Sequence, residues 1–239
     1  MRARRGSWRV APPRALLVVA LAGCGLVSRD VTTVAFDLPP KSYAFDTNGV
    51  GWKVPTGAFP VVPCGAGQLV ADCCHPPAPA PQPDCAVTPL SCDSGVCTLR
   101  FPVSVSQQVD LKQEVPELAN VQSQSLVDIY VSQVRYSVTS TLNVPLPSID
   151  LYVAPDGVTS AMDPAAQLFG TVPETPPMTS GDGNVDIVPD ADSVFAQYAH
   201  ALGTPFNFIA TTTVVVPSGS PIPNGRVEVT VTGQVSAHL

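Results

Sequence analysis

Six of the seven cysteines, Cys64, Cys73, Cys74, Cys85, Cys92 and Cys97, crowd into the stretch between positions 64 and 97. An even number so compressed reads as three disulfides, provided that the chain matures in an oxidising compartment. Six cysteines can pair in many ways, and spacing alone does not select among them. Within Ser91-Cys92-Asp93-Ser94-Gly95-Val96-Cys97, a turn former and a glycine separate two cysteines, so a short-loop Cys92–Cys97 bridge is feasible. Adjacent Cys73 and Cys74 are expected to take different partners, because a ring between neighbours is strained. The metal alternative is zinc on Cys73, Cys74 and His75 with Cys85, Cys92 or Cys97. Zinc thiolates usually come as paired C-x₂₋₄-C knuckles, and only Cys92-x₄-Cys97 approaches that spacing. An oxidising compartment would remove the thiolates. The compartment therefore decides the reading.

The N-terminus speaks to the compartment. Arg2, Arg4, Arg5, Arg9 and Arg14 occupy the first 14 residues with no acidic residue, and the apolar run Ala15–Leu21 follows, ending in Ala22-Gly23-Cys24. A positive region, a short apolar region and small residues at a cleavage point form the layout of an export signal over residues 1–23. Seven apolar residues at 1.5 Å rise cover about a third of a hydrocarbon core of roughly 30 Å, too little for a permanent transmembrane helix.

Leu21-Ala22-Gly23-Cys24 resembles the lipobox of bacterial lipoproteins at all four positions. The resemblance covers only the leader. It implies a diacylglycerol thioether on the Cys24 sulfur, cleavage before that residue and acylation of the new amine by a palmitate-type chain. One chain holds marginally at about 0.8 kcal/mol per buried CH₂, whereas two or three hold almost permanently. Position 25 is Gly rather than Asp, which by the same resemblance favours the outer membrane of the envelope. The alternative is an ordinary secretory signal with a coincidental cysteine.

Removal of the leader leaves seven basic against 19 acidic residues, a formal charge of −12. Such a surface repels phosphate backbones, and no basic cluster offsets it, so nucleic acid is excluded as a partner. The same charge argues against a polybasic mode of membrane binding and leaves lipid on Cys24 as the link to the bilayer. Charged residues make up only 13% of the chain, and 27 prolines accompany abundant Val, Thr and Ser. That balance favours an all-β sandwich or barrel over a helical bundle.

Periodicity places the elements. Residues 24–30 read as a lipidated tether and 31–52 as N-terminal strands. Thr32, Val34, Phe36 and Leu38 alternate until Pro39-Pro40, which is expected to end the first strand, and Tyr43–Phe45 reads as a second. Residues 53–98 form the irregular Cys/Pro-rich segment. Its arm His75–Pro83 suits extended polyproline geometry and reads as a stiff connector between staples. From 99 to 239 strands return at Leu99–Val105, with Pro102 marking an edge or outward position, then at Val134–Val138, Ile149–Val153 and Gln167–Val172. Residues 116–126 read as a short helix on Leu118, Val121 and Leu126. A better-supported helix has Asp190 and Asp192 at its start, Val194, Phe195, Tyr198, Ala199 and Leu202 on one face, and Gly203 at its end. Phe206–Val216 and Val227–Val231 read as a long-looped hairpin with one wet face. Tyr130, Tyr136, Tyr152 and Phe169 are expected in the core. The fold class is mainly β: a β-sandwich, immunoglobulin-like or similar, with one short helix and a disulfide-stapled irregular segment. The run Val134–Val153, strand, proline-bearing turn and strand, resembles the opening of the water-stress and LEA-14-like β-sandwich family over about 20 residues.

Motifs of chemistry are scarce. There is no Gly-x-Ser-x-Gly elbow, no His-Glu-x-x-His and no phosphate loop, and only three histidines, His75, His200 and His238. The expectation is a protein that is not an enzyme and needs no cofactor. One weak metal candidate stands out. Asp182, Asn184 and Asp186 at alternate positions, with Asp190 beyond, imitate the start of a calcium loop. Ile187 stands where that loop needs glycine, and Ser193 where it needs a bidentate Glu. The bland reading is a solvated turn and a helix cap. Three functions follow in order: an envelope lipoprotein with a binding or structural role toward an unidentified envelope protein or ligand; a carrier of an apolar ligand in a sandwich pocket; and a hydrolase using His200 with a nearby Ser or Asp.

Overall fold

Alternation of apolar with small polar residues produces ten strands among the described residues, arranged as two facing antiparallel sheets. The computed structural model describes residues 33–49, 59, 61, 63, 64, 73, 90–119 and 126–238. The leader, Cys24, the tether, Cys74, Cys85 and the proline-rich arm lie outside the described residues. In chain order the strands are β1 (Thr33–Asp46), β2 (Leu90–Asp93), β3 (Val96–Val109), β4 (Val127–Ser140), β5 (Ile149–Pro155), β6 (Gln167–Val172), β7 (Ser180–Asn184), β8 (Asp186–Ile187), β9 (Phe206–Pro217) and β10 (Arg226–His238). One sheet has the order β1-β10-β4-β7 and the other β2-β3-β9-β5-β6-β8. This is the expected mainly-β sandwich. Its main helix, α2 (Ala191–Ala199), follows β8, and a one-turn helix α1 (Leu111–Glu114) follows β3.

The inner faces make the core. Phe36, Leu38 and Tyr43 of β1, Val134 and Val138 of β4, and Val229 and Val235 of β10 face Leu151 and Val153 of β5, Phe169 of β6 and Phe208 of β9 in one buried cluster. Each fully buried side chain of this size contributes about 1.5–3 kcal/mol. Phe195 of α2 enters the same cluster and meets Phe169, Phe206 and Phe208 at ring-centroid distances of 6.2, 5.7 and 6.3 Å. The helix also serves β4. Where the β10–β4 register shifts between Gln234 and Val235, the Val131 N–H donates to Asp192 Oδ1 at 2.6 Å.

Several sequence expectations are corrected. Pro39-Pro40 does not end a strand: β1 runs unbroken to Asp46, with a register shift between Leu38 and Lys41. As the edge of its sheet, β1 needs hydrogen bonds on one side only, and a bulge absorbs residues that lack an N–H. Pro102 obeys the same rule, exposed on β3 beyond the reach of short β2. The final two strands are not a hairpin. β9 lies between β3 and β5, β10 lies between β1 and β4, and the chain crosses from one sheet to the other between them. Period-2 alternation says that one face is buried but not in which sheet. Gly225 permits the crossing. Its φ is +134°, and a Cβ there would lie 2.3 Å from the Thr141 carbonyl oxygen.

The helices also differ in detail. In place of a helix over 116–126 there are α1, capped by the Asp110 side chain on the Gln113 N–H, and a 3-10 turn at Pro116–Leu118, with 120–125 outside the described residues. α2 ends at Ala199 with His200 as its cap, so Gly203 does not terminate it, and the Asp190 side chain makes no capping bond. Tyr130 is 55% exposed rather than buried, whereas Phe169 is in the core and Tyr136 packs against it.

Candidate functional site

The stapled end is built on the β2–β3 hairpin. Ser94 and Gly95 take φ of 55° and 82°, the left-handed pair that a two-residue hairpin turn needs. Cys92 and Cys97 lie directly opposite each other across the ladder, yet they do not bond. Cys92 joins Cys64, with Cα atoms 5.9 Å apart, and Cys97 joins Cys73 at 5.6 Å. This corrects the short-loop pairing. A Cys92–Cys97 bond would close a hairpin that the ladder already closes, whereas the observed bonds tie Cys64 and Cys73, which belong to none of the described strands, to the sheet. Each closes a loop worth about 3.5 kcal/mol in lost unfolded-chain freedom.

Hydrogen bonds complete the attachment. The Cys64 N–H donates to the Gly95 carbonyl, the Phe59 N–H to that of Ser220 and the Gly219 N–H to that of Phe59. Phe59, Cys64, Cys73 and Cys97 then pack with Leu99, Val214 and Val216 in a second buried cluster. Outside it, hydrogen bonds from the Ser91 hydroxyl and the Arg100 guanidinium hold the Asp93 carboxyl below its ordinary range. The sulfurs of Cys64, Cys73 and Cys97 come within 4.8 Å of one another because the two bridges are neighbours. With each committed to a disulfide, Cys73, Cys92 and Cys97 have no thiolate to offer zinc.

The calcium candidates do not assemble. Asp182 and Asn184 pair along β4, Asp186 pairs along β6 in the opposite sheet, and buried Val185 is the crossing point between them. Asp190 lies beyond, at the start of α2. The Asn184 Oδ1 accepts a hydrogen bond from Gln133 Nε2 at 3.1 Å. A calcium loop curls its oxygens around one centre; a chain stepping between sheets splays them apart. His200 is exposed, and its Nδ1 lies 3.1 and 3.0 Å from the carbonyl oxygens of Ala196 and Gln197, so the ring caps the helix end. No nearby Ser or Asp is bonded to it among the described residues.

Two kinds of space remain. Between the sheets, under β1, are two apolar cavities of about 40 and 20 Å³ that share the Tyr43 ring. Burial pushes the Tyr43 phenol well above its ordinary pKa. Beside it the two sheet edges are laced together. Lys41 Nζ donates to the Gln108 carbonyl at 2.8 Å and to Glu114 Oε2 at 2.6 Å, and Gln107 Nε2 donates to the Ser42 carbonyl. These cavities fall far below the roughly 300–1,000 Å³ of ligand pockets. The other space is a groove of mixed polar and apolar lining, about 470 Å³, on the outer face of the four-stranded sheet, where Leu38 and Pro40 of β1 lie beside polar residues of β1, β10 and β4. Beyond Gly233 within a run of valines and threonines, the sequence gives no sign of it, because its walls come from positions 37–40, 133–135 and 232–234.

No protein-family model matches the chain, and the comparison with curated proteins finds no match. Among solved structures it is similar to Desmodium yellow mottle tymovirus at 12% identity, over 69% of this chain and 93% of that one, with a TM-score of 0.25. It is also similar to black queen cell virus at 14% identity, over 99% and 84% of the two chains, with a TM-score of 0.26. Likenesses this distant carry no functional argument.

Proposed function

We propose that this protein is a bacterial envelope lipoprotein, exported on residues 1–23 and lipid-anchored through Cys24, whose β-sandwich has a non-enzymatic binding or structural role. The observation that supports it most is the pair of bridges Cys64–Cys92 and Cys73–Cys97. Disulfides of this kind belong to chains that mature in an oxidising compartment, which is where a leader ending in Leu21-Ala22-Gly23-Cys24 would deliver the chain. No helix among the described residues is long and apolar enough to cross a membrane, so acyl chains on Cys24 are the proposed means of attachment. Residues 24–32, fully extended, reach at most about 30 Å, which holds β1 and its sheet close to the bilayer. Gly25 favours the outer membrane. The formal charge of −12 keeps the domain off anionic headgroups and off nucleic acid. The apolar-carrier reading gains no support from inter-sheet cavities of 40 and 20 Å³.

The test is fractionation of cells producing wild type and Cys24→Ser. Wild type is expected in the membrane pellet, carrying a metabolically incorporated fatty-acid label, and Cys24→Ser unlabelled and released from the pellet. Equal partitioning of the two proteins, both unlabelled, would remove the anchor.

A further inference from the structure

We infer that the groove on the outer face of the four-stranded sheet is a binding site for an uncharged oligosaccharide. The inference deepens the reading of the sandwich as a binding module and rests on it, but not on the lipid. The groove forms where two irregularities fall side by side: the shift in β1 between Leu38 and Lys41, and the shift between β10 and β4 after Gln234. Leu38 pairs with Gly233, and Gln234 pairs with both Asp37 and Gln133, so the two shifts adjoin across three strands. Bulges re-aim side chains and recur beside functional sites.

The lining is the right kind for sugar hydroxyls. Arg135 offers only donors, Asp37 only acceptors, and Thr232, Gln133 and Gln234 offer both. A hydroxyl both donates and accepts, so a surface presenting both kinds at close range matches it. One of these side chains is held ready, and the strand beside it is pinned. Gln133 is oriented by its bond to Asn184 Oδ1, which leaves its own Oε1 to accept, and β10 is fixed there by the Ser132 hydroxyl on the Gln234 carbonyl. Among the described residues the side chains of Asp37 and Arg135 have no ion-pair or hydrogen-bond partner. Exposed Tyr130 stands on the same face outside the groove's lining, three residues from Gln133 and across the β10–β4 register shift, where its ring can take the C–H face of a further pyranose unit.

Charge selects within the class. One Arg and one Asp cancel, which suits a ligand without net charge, and the acidity of the whole chain repels polyanionic glycans. The apolar side chains of the lining, Leu38 and Pro40, sit side by side on β1 and do not form the row of separate pockets that the alternate side chains of an extended peptide need. Asp37 is about 13 Å along the strand from Thr33, so the groove opens near the end at which the chain enters the sandwich.

The experiment is calorimetric titration of the full-length chain, purified in detergent, with tetramers of β-1,4-linked N-acetylglucosamine and of β-1,4-linked glucose. Hydrogen exchange of β10 and β4 is followed with and without sugar. Saturable binding of either tetramer is expected, with added protection near Gln234 and Gln133. Asp37→Asn and Arg135→Gln should each weaken binding about tenfold at an unchanged melting temperature. No saturation by either tetramer overturns the proposal, as does protection confined elsewhere or equal binding of an extended polar tetrapeptide. If a variant fails to fold, the exchange map of the wild type decides. Failure here leaves the general binding or structural role standing, whereas an unlipidated Cys24 removes the anchor and leaves the groove untouched.

Discussion

The stapled end and the aromatic centre of the sandwich both bury apolar side chains, but they are held by different means. Around Phe169, Phe195, Phe206 and Phe208, rings from β6, α2 and β9 fill the space between sheets, held by packing and ladder hydrogen bonds with no covalent bridge among them. Around Cys73 and Cys97 the described residues between 59 and 73 make a single bridge, Pro63 to Val96, and two covalent bonds tie Cys64 and Cys73 to the β2–β3 hairpin. Where periodicity supplies enough apolar faces the chain needs no staples; where proline and glycine break periodicity, it uses them. The contrast makes the aromatic centre indifferent to redox state and the stapled end dependent on it.

The largest effect should come from Phe195→Ala. Removing a fully buried ring shared by three others should cost about 3–5 kcal/mol. At about 2–4 °C per kcal/mol for a domain of this size, chemical denaturation and calorimetry should both record a marked loss, with or without reductant. Replacing Cys73 and Cys97 together by Ser should cost about 2–4 kcal/mol. Here the effect should be local: hydrogen exchange should rise in β2 and at the Val214–Pro217 end of β9 while Val134–Val138 stays protected. Uniform loss of protection would erase the distinction between the regions. Gly225→Ala forces a side chain against the Thr141 carbonyl in a backbone conformation that disfavours it, and about 1–3 kcal/mol should be lost. That cost should appear equally in oxidised and reduced protein, because the crossing belongs to neither region.

The smallest effect concerns acid. The Asp93 pKa is lowered in the folded state by Ser91 and Arg100, so its contribution is present above the ordinary carboxylate pKa and disappears as pH falls through the lowered value. Asp93→Asn should flatten that acid limb slightly and leave stability near neutrality almost unaltered. A pH titration of the melting temperature checks it, and added salt should shrink the difference.

What could be read in the sequence was whatever repeats locally. Val134–Val138, Ile149–Val153 and Gln167–Val172 alternate as β4, β5 and β6 do, and Val194, Phe195 and Ala199 recur as α2 requires. Ser94-Gly95 announced a turn, though of a hairpin rather than of a disulfide loop. Misses arose where a remote partner decides. Pro39-Pro40 is tolerated because β10 on one side leaves the other side free. The sheet to which β9 or β10 belongs depends on strands more than 50 residues away. The groove escaped for the same reason, since Asp37, Arg135 and Gln234 meet only after three distant strands align; Gly233 within a run of valines and threonines was the one local hint.

The most direct measurement is mass spectrometry, without reduction, of the protein extracted from native membranes. The account predicts an N-terminal peptide that begins at Cys24 and carries added fatty-acyl mass, together with linked peptides joining Cys64 to Cys92 and Cys73 to Cys97. A chain that still begins at Met1, with an unmodified Cys24 and free thiols at those four positions, would contradict it.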